Sequence, residues 1–318
     1  MKMPRQMLKI MLMACLLVGG ALMVHMLTFS TTSTDSDLDH QRNFNDGYKI
    51  FSLTMPGELT FCGEQVPMNK LDVRERLDRE LLVNTYWQSS SVLAHKRAAR
   101  WFPLIEPILA REGVPDDMKF LALIESGLTN AVSPKGATGF WQFMQGTAES
   151  HGLTVNGEVD ERYHVERSTE AACRYLKEAY AQFGSWSLAA AAYNLGSGGV
   201  NKQVGRQGIK DYYSLLLPEE TSRYVFRLLA MKELVRDPER YGFHIRTKDL
   251  YAPYSTRRVT ITGTIEDIAA FSLRQGTEYK TVKLLNPWLR ENTLTVREGR
   301  SYELLLPRDD FDKVAAGE

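Results

Sequence analysis

Residues 114–127 read V-P-D-D-M-K-F-L-A-L-I-E-S-G and carry the side chain best suited to chemistry, the carboxyl of Glu125. Pro115 suits a first helical position, where its missing N–H costs nothing, and Asp116 and Asp117 favour the positive end of a helix dipole. Gly127 supplies the stop. Between them Met118, Phe120, Leu121, Ala122, Leu123 and Ile124 are apolar nearly all round, which predicts a short helix enclosed by protein. Glu125 falls in its last turn, one turn after Leu121 and Ala122, with no basic residue at either position. Apolar surroundings and the negative helix end both disfavour ionisation, so a raised pKa is expected. A carboxyl that keeps its proton near neutral pH can serve as a general acid. Taken alone, the fragment equally allows an ordinary water-facing glutamate.

Other residue types that could do chemistry point elsewhere. His164 and Glu166 lack metal-site spacing and read as solvated loop residues. The run Leu195-Gly196-Ser197-Gly198-Gly199 lacks the Gly-Lys-Ser/Thr of a phosphate loop. The three cysteines, Cys15, Cys62 and Cys173, show no C-x-x-C spacing. An exported domain would allow Cys62 and Cys173 to pair, and two unpaired core thiols are the other reading. Lys plus Arg total 39 and Asp plus Glu total 39, so no basic excess argues for nucleic acid. No metal, cofactor or nucleic-acid partner is expected.

The elements that must position Glu125 read as mainly helical. Residues 71–86 place Leu71, Leu77, Leu81, Leu82 and Tyr86 among charges, a helix with one apolar stripe. Residues 97–112 form another, with Trp101, Leu104, Ile105, Ile108 and Leu109 inward; Trp87 and Trp101 also have a sugar-stacking reading. Residues 55–67 read as an extended lead-in. Residues 130–146, N-A-V-S-P-K-G-A-T-G-F-W-Q-F-M-Q-G, are turn-rich, with a short aromatic segment suited to a wall beside Glu125. A helix restarts at 147–151. Ser168 is a candidate N-cap for a helix through Phe183. Residues 186–193 are strongly helical, and 220–235 form a last helix with Tyr224, Val225, Leu228, Leu229 and Met231 inward.

These residues resemble a known family. Glu125-Ser126-Gly127, Gly139-Phe140-Trp141-Gln142-Phe143-Met144, Ala192-Tyr193-Asn194-Leu195-Gly196, and Glu220-Thr221 with Tyr224-Val225 follow the order and approximate spacing of the soluble lytic transglycosylase catalytic domain. Val159-Asp160-Glu161-Arg162 and Ser168-Thr169-Glu170-Ala171-Ala172 match too. Together they resemble the membrane-bound lytic murein transglycosylase D type of glycoside hydrolase family 23. One departure is that the commoner Gly-Leu-Met-Gln is here Gly139-Phe140-Trp141-Gln142, which keeps the Gln and sets an aromatic beside it.

The resemblance implies a goose-type-lysozyme-like fold. It implies cleavage of the β-1,4 bond between N-acetylmuramic acid and N-acetylglucosamine in peptidoglycan without water, leaving a 1,6-anhydro ring. Most glycosidases use two carboxylates, and the sequence offers one in an enclosed setting. Glu125 would then act as acid and afterwards as base, with the substrate's C6 hydroxyl as nucleophile. By the same resemblance Ser126 and Gln142 bond the sugar or orient Glu125, Tyr193 and Asn194 line the pocket, Glu220 binds substrate, and Tyr224 is the weakest candidate. A lysozyme-like hydrolase and an inactive, membrane-tethered glycan-binding protein remain as alternatives.

Tyr251-Ala252-Pro253-Tyr254 marks a boundary, after which 259–263 and 301–307 read as strands and 265–273 and 279–286 as short helices. This βααβ order, with Leu285-Asn286-Pro287, is similar to a LysM module, although Gly263-Thr264-Ile265-Glu266 replaces the usual Gly-Asp-Thr-Leu. Glycan binding by this module and a spacer role are both open. At the other end, Lys2, Arg5 and Lys9 precede an apolar run over 10–29, and Asp35, Asp37 and Asp39 follow. That pattern predicts an export signal with the remainder of the chain outside the bacterial inner membrane. An uncleaved anchor in membrane lipid ranks first, a cleaved signal second, and a lipoprotein through Leu12-Met13-Ala14-Cys15 third. The expected organisation is signal or anchor over 1–29, linker over 30–55, catalytic domain with helical extension over 56–250, LysM-like module over 251–307 and a tail over 308–318. The expected partner is the glycan strand of peptidoglycan.

Overall fold

The computed structural model describes residues 50–311 and, ahead of them, positions 38, 39, 42 and 47. The apolar run over 10–29, Cys15 and most of the expected linker and tail lie outside the described residues. Among the described residues no helix is long and apolar enough to cross a membrane. The chain divides into two units, Met1–Ser52 and Leu53–Glu318, and every element named below belongs to the second.

A short hairpin opens it, β1 (Thr60–Phe61) paired antiparallel with β2 (Glu64–Gln65). Cys62 takes the left-handed φ of 52° at the turn, and Glu64 accepts from the Ser187 amide at 3.0 Å and the Ser187 hydroxyl at 2.7 Å. The expected extended lead-in is thus a clip over the start of a later helix. Next come α1 (Leu71–Tyr86) and α2 (Gln88–Glu112). α2 begins well before the expected residue 97. Its first turns hold few large apolar residues, and tertiary burial supports them: His95 Nε2 meets the Leu234 carbonyl at 2.9 Å, and Ser91 and Ala94 are buried.

The segment expected as one helix over 114–127 is a 3₁₀ turn, Asp116–Met118, followed by α3 (Lys119–Ser126). Pro115 stands one place earlier than expected, outside the turn, with ψ of 142°. Asp117 accepts from the Lys232 ammonium at 2.7 Å and the Cys62 amide at 2.7 Å, tying this turn to the hairpin and the last long helix. Then follow α4 (Gln145–Ser150), α5 (Val165–Phe183), α6 (Trp186–Leu195), α7 (Ser197–Gln207) and α8 (Glu219–Arg236). Ser168 is not an N-cap. α5 starts at Val165, and the buried Ser168 hydroxyl donates back to the His164 carbonyl at 2.8 Å. Nor is the glycine-rich stretch a loop, since α7 begins at Ser197. Gly199 is needed there because a Cβ would lie 2.6 Å from the Leu195 side chain.

α8 is the spine of this domain. It packs on α1, α2, α3 and α6 and buries Tyr224, Val225, Leu228, Leu229 and Met231, as the periodicity predicts. Glu80 of α1, 1% exposed, is paired with Arg223 of α8 at 2.7 Å. Cys62 and Cys173 are free thiols; burial pushes the Cys173 pKa up to about 12, so it stays protonated and inert.

The C-terminal module runs β3 (Thr256–Ile261), α9 (Ile268–Arg274), α10 (Tyr279–Leu285) and β4 (Tyr302–Pro307), with β3 and β4 antiparallel and Val259 opposite Leu304. This is the expected βααβ order. Its core includes Ile261, Ile268, Val282, Trp288, Leu294, Leu304 and Leu306, together with Val159 and Tyr163 from the helical domain. His164 and Glu166 are therefore not solvated loop residues. The His164 ring stacks on Trp288 with centroids 5.7 Å apart, burial lowers its pKa and keeps it neutral, and Glu166 pairs with Arg258 of β3.

Candidate active site

Glu125 closes the last turn of α3, half-buried, and α3 lies against α2 and α8. α8 presents three groups to it. Tyr224, 1% exposed, donates its hydroxyl to Glu125 Oε1. Arg227 donates to the Ile124 carbonyl at 3.2 Å, which brings its guanidinium close. Glu220, exposed on the first turn, lies on the same helical face. Burial is the main influence on Glu125 and raises its pKa. The Tyr224 hydrogen bond and the Arg227 charge pull it down, the Glu220 charge pushes it up, and the balance stays above an ordinary glutamate. Burial and the Glu125 charge lift the Tyr224 pKa far above the usual tyrosine value, so its hydroxyl remains a donor.

A loop forms the facing wall. Val132, Thr138 and Phe143 are joined by isolated antiparallel bridges, so the turn-rich wall is built without regular strands. The Ser126 hydroxyl is shared between the carbonyls of Ala122 at 3.0 Å and Phe140 at 2.9 Å, so it fastens this wall to the end of α3. Gln142 sits at φ 49°, a left-handed conformation that costs about 1–2 kcal/mol for a non-glycine residue. Its side-chain amide donates to Ala131 O at 3.0 Å and Gly139 O at 2.8 Å. With both amide hydrogens so used, Gln142 can contact a sugar only through Oε1 as acceptor. Trp141 is fully buried and donates to Thr169 Oγ1 at 2.9 Å, so this ring offers no face to a sugar.

Tyr193 of α6 donates to the Trp141 carbonyl at 2.8 Å, its ring lies 5.9 Å from Phe143, and the Glu125 charge is among the causes that raise its pKa after burial. Asn194 Oδ1 accepts from Thr221 Oγ1 at 2.7 Å, tying the end of α6 to the start of α8. The seven sequence candidates therefore fall into two sets. Glu125, Tyr224, Glu220 and Tyr193 interact directly or electrostatically, whereas Ser126 and Gln142 hold the surrounding backbone and Asn194 holds the Thr221 side chain. Arg227 was missed by sequence reasoning. The signal available was its place on the Glu220–Tyr224 face, three residues on from Tyr224. Of the two tryptophans, Trp87 is exposed and Trp101 is half-buried edge-on to Phe140 at 5.0 Å. Two clefts, of about 430 and 490 Å³, lie in the module and at its junction with the helical domain, and Glu125 lines neither. Among the described residues no group of His, Cys, Asp or Glu could hold a metal ion.

Comparison with known proteins gives two domain matches. Residues 104–216 match the family model of the transglycosylase SLT domain, and 257–310 match that of the soluble lytic transglycosylase C-terminal LysM-like domain. The chain is 28% identical over 273 residues to membrane-bound lytic murein transglycosylase D of Escherichia coli, covering 83% of this chain and 58% of that protein. It is 30% identical over 125 residues to a putative tributyltin chloride resistance protein of an Alteromonas species, covering 39% of this chain and 58% of that one. The chain thus spans less than two thirds of the length of these relatives. Among solved structures, the 70 kDa soluble lytic transglycosylase of Escherichia coli aligns at 24% identity and a TM-score of 0.37, over 48% of this chain and 27% of that one.

Proposed function

For a chain that carries a transglycosylase SLT domain followed by a LysM-like C-terminal domain, we propose a peptidoglycan lytic transglycosylase in which Glu125 is the single acid and base. The observation that carries the reading is the pairing of a carboxyl of raised pKa with a buried phenol that donates to one of its oxygens. Because Oε1 accepts from Tyr224, the proton resides on Oε2. Glu125 gives that proton to the glycosidic oxygen between N-acetylmuramic acid and N-acetylglucosamine as the C1–O bond breaks. The resulting carboxylate is stabilised by the Tyr224 hydroxyl and the nearby Arg227 charge. It then takes the proton of the C6 hydroxyl as that oxygen bonds to C1, closing a 1,6-anhydro ring. Glu125 ends the cycle protonated, and no water is consumed.

Glycan strands of peptidoglycan are the proposed substrate. Glu220, Tyr193 and the Gln142 carbonyl would face the sugar, while Ser126 and Asn194 hold the walls. The apolar run over 10–29 and its flanking charges support export across the inner membrane, with membrane association through that segment. One observation favours a second reading, hydrolysis: Glu220 is near enough for its charge to act on Glu125, and two carboxylates can activate a water. Mass spectrometry of products from purified sacculi separates the two by one water of mass. Anhydro ends are expected from the wild type and none from Glu125→Gln. Full activity of that variant would sink the assignment of Glu125.

A further inference from the structure

We infer that the C-terminal module braces the wall that faces Glu125, and that Glu158 is a positioning residue for the reaction. The inference rests on the transglycosylase reading above. A module that only anchored the enzyme to the wall would be joined by a linker with few contacts. Here the helical domain is built into the module. Asp160 N–H donates to Trp288 O at 2.9 Å, Arg290 N–H donates to Glu158 O at 2.7 Å, and Val159 and Leu289 form an antiparallel bridge between them. The Glu158 carboxylate accepts from Thr293 Oγ1 at 2.8 Å, Thr295 N–H at 3.0 Å and Thr295 Oγ1 at 3.1 Å. Val159, 2% exposed, and Tyr163, 9% exposed, are part of the module's own core, and the Arg290 guanidinium lies 4.3 Å from the Tyr163 ring centre. Relative motion is the default for domains in one chain unless the interface is large and hydrophobic; here Val159 and Tyr163 enter the module's apolar core and the backbones pair across the junction.

The same few residues reach the Glu125 wall from their other side. Asp160 grips Arg162 through Nε at 2.9 Å and Nη2 at 2.7 Å. Arg162 Nη1 donates to the carbonyls of Gly136 at 3.2 Å and Phe143 at 3.3 Å. The backbones themselves touch, since a Cβ on Gly139 would stand 2.0 Å from Arg162 O. The wall they hold carries the Phe140 and Trp141 carbonyls that receive Ser126 and Tyr193. A continuous set of contacts therefore runs from Thr293 and Thr295 through Glu158, Asp160 and Arg162 to the residue beside Glu125. Glu158 and Asp160 are joined through Val159, which bridges to Leu289, and the other links are hydrogen bonds or packed backbone, so loosening the module loosens the wall.

The test uses the full chain and a soluble glycan fragment, alongside insoluble sacculi. Glu158→Ala is expected to lower kcat on the fragment by about tenfold with KM within twofold, as expected when a positioning contact is lost. It is also expected to speed amide exchange over residues 137–143 while α8 stays protected. Thr293→Val combined with Thr295→Val, near-isosteric changes on the module side, should reproduce both effects without loss of folding. Unchanged kcat and unchanged exchange over 137–143 in an active protein would overturn the brace. A defect confined to sacculi would overturn it as well, by making the module an anchor. A wild-type chain that turns over neither substrate would instead refute the enzyme reading on which the inference rests.

Discussion

Replacing Tyr224 by Phe removes one oxygen from a side chain that is 1% exposed and leaves its ring in place. The perturbation is thus confined to the bond with Glu125 Oε1. Hydrogen bonds to a charged group contribute about 1.5–3 kcal/mol. This one favours the ionised carboxyl, so its loss raises the energy of the carboxylate by about that amount, with only the Arg227 charge left to oppose burial and Glu220. In the proposed reaction, carboxylate is what Glu125 becomes on donating its proton, and it would be the base for the closing step. At about tenfold per 1.36 kcal/mol, the chemical step should slow by about 10- to 100-fold. The sign of the pH effect follows from the same bond. With the lowering influence gone, Glu125 holds its proton to higher pH, and the alkaline limb of the kcat profile moves upward. Single-turnover rates on a soluble glycan across pH, with thermal melts as a control for folding, read both effects. A rate within twofold of wild type and an unmoved alkaline limb would refute the claim that Tyr224 tunes Glu125.

Two further outcomes follow from the same geometry. The raised pKa of Glu125 means that its contribution to folding is present below the unfolded glutamate value and lost as pH rises through the folded value. Glu125→Gln should therefore melt above wild type at neutral pH, by about 2–4 °C per kcal/mol recovered, with the gap closing in acid; a variant less stable at neutral pH contradicts this. Gly139→Ala combines a φ of 80° with a Cβ 2.0 Å from Arg162 O. It should destabilise the protein by at least about 1–3 kcal/mol and depress turnover on any glycan, and melting and rates equal to wild type would show that the wall gives way freely.

Much of the fold was legible where burial follows a simple period. α1, α8 and the four module elements lie within a few residues of their expected bounds because apolar residues recur on one face and little else competes. Two of the misses share one cause. α7 and the start of α2 are rich in Gly and Ser, which disfavour a helix interior. They are helical because neighbours cover them, α7 by packing on α6, and early α2 by His95 reaching Leu234. His164 was misread for the same reason, since the Trp288 that covers it returns from a module more than a hundred residues further along the chain.

The site divides along the same line. The environment of Glu125 that comes from its own helix, Leu121 and Ala122 one turn back, is local and was readable, and the direction of the expected pKa shift agrees. What sets the group's working state is not local. Burial alone would make Glu125 a poor acid, because a carboxylate in apolar surroundings has nothing to stabilise it once the proton has gone. Tyr224 answers that need from 99 residues away, and its place on an inward helical face gave equal reason to read it as ordinary core. Periodicity can say which face of α8 is buried. Only the packing of α8 on α3 decides that one buried phenol on that face meets the Glu125 carboxyl. The role proposed for Tyr224 is therefore separated from that of a core tyrosine by a single hydrogen-bond partner, which is why the phenylalanine replacement, leaving the packing and removing the bond, isolates it.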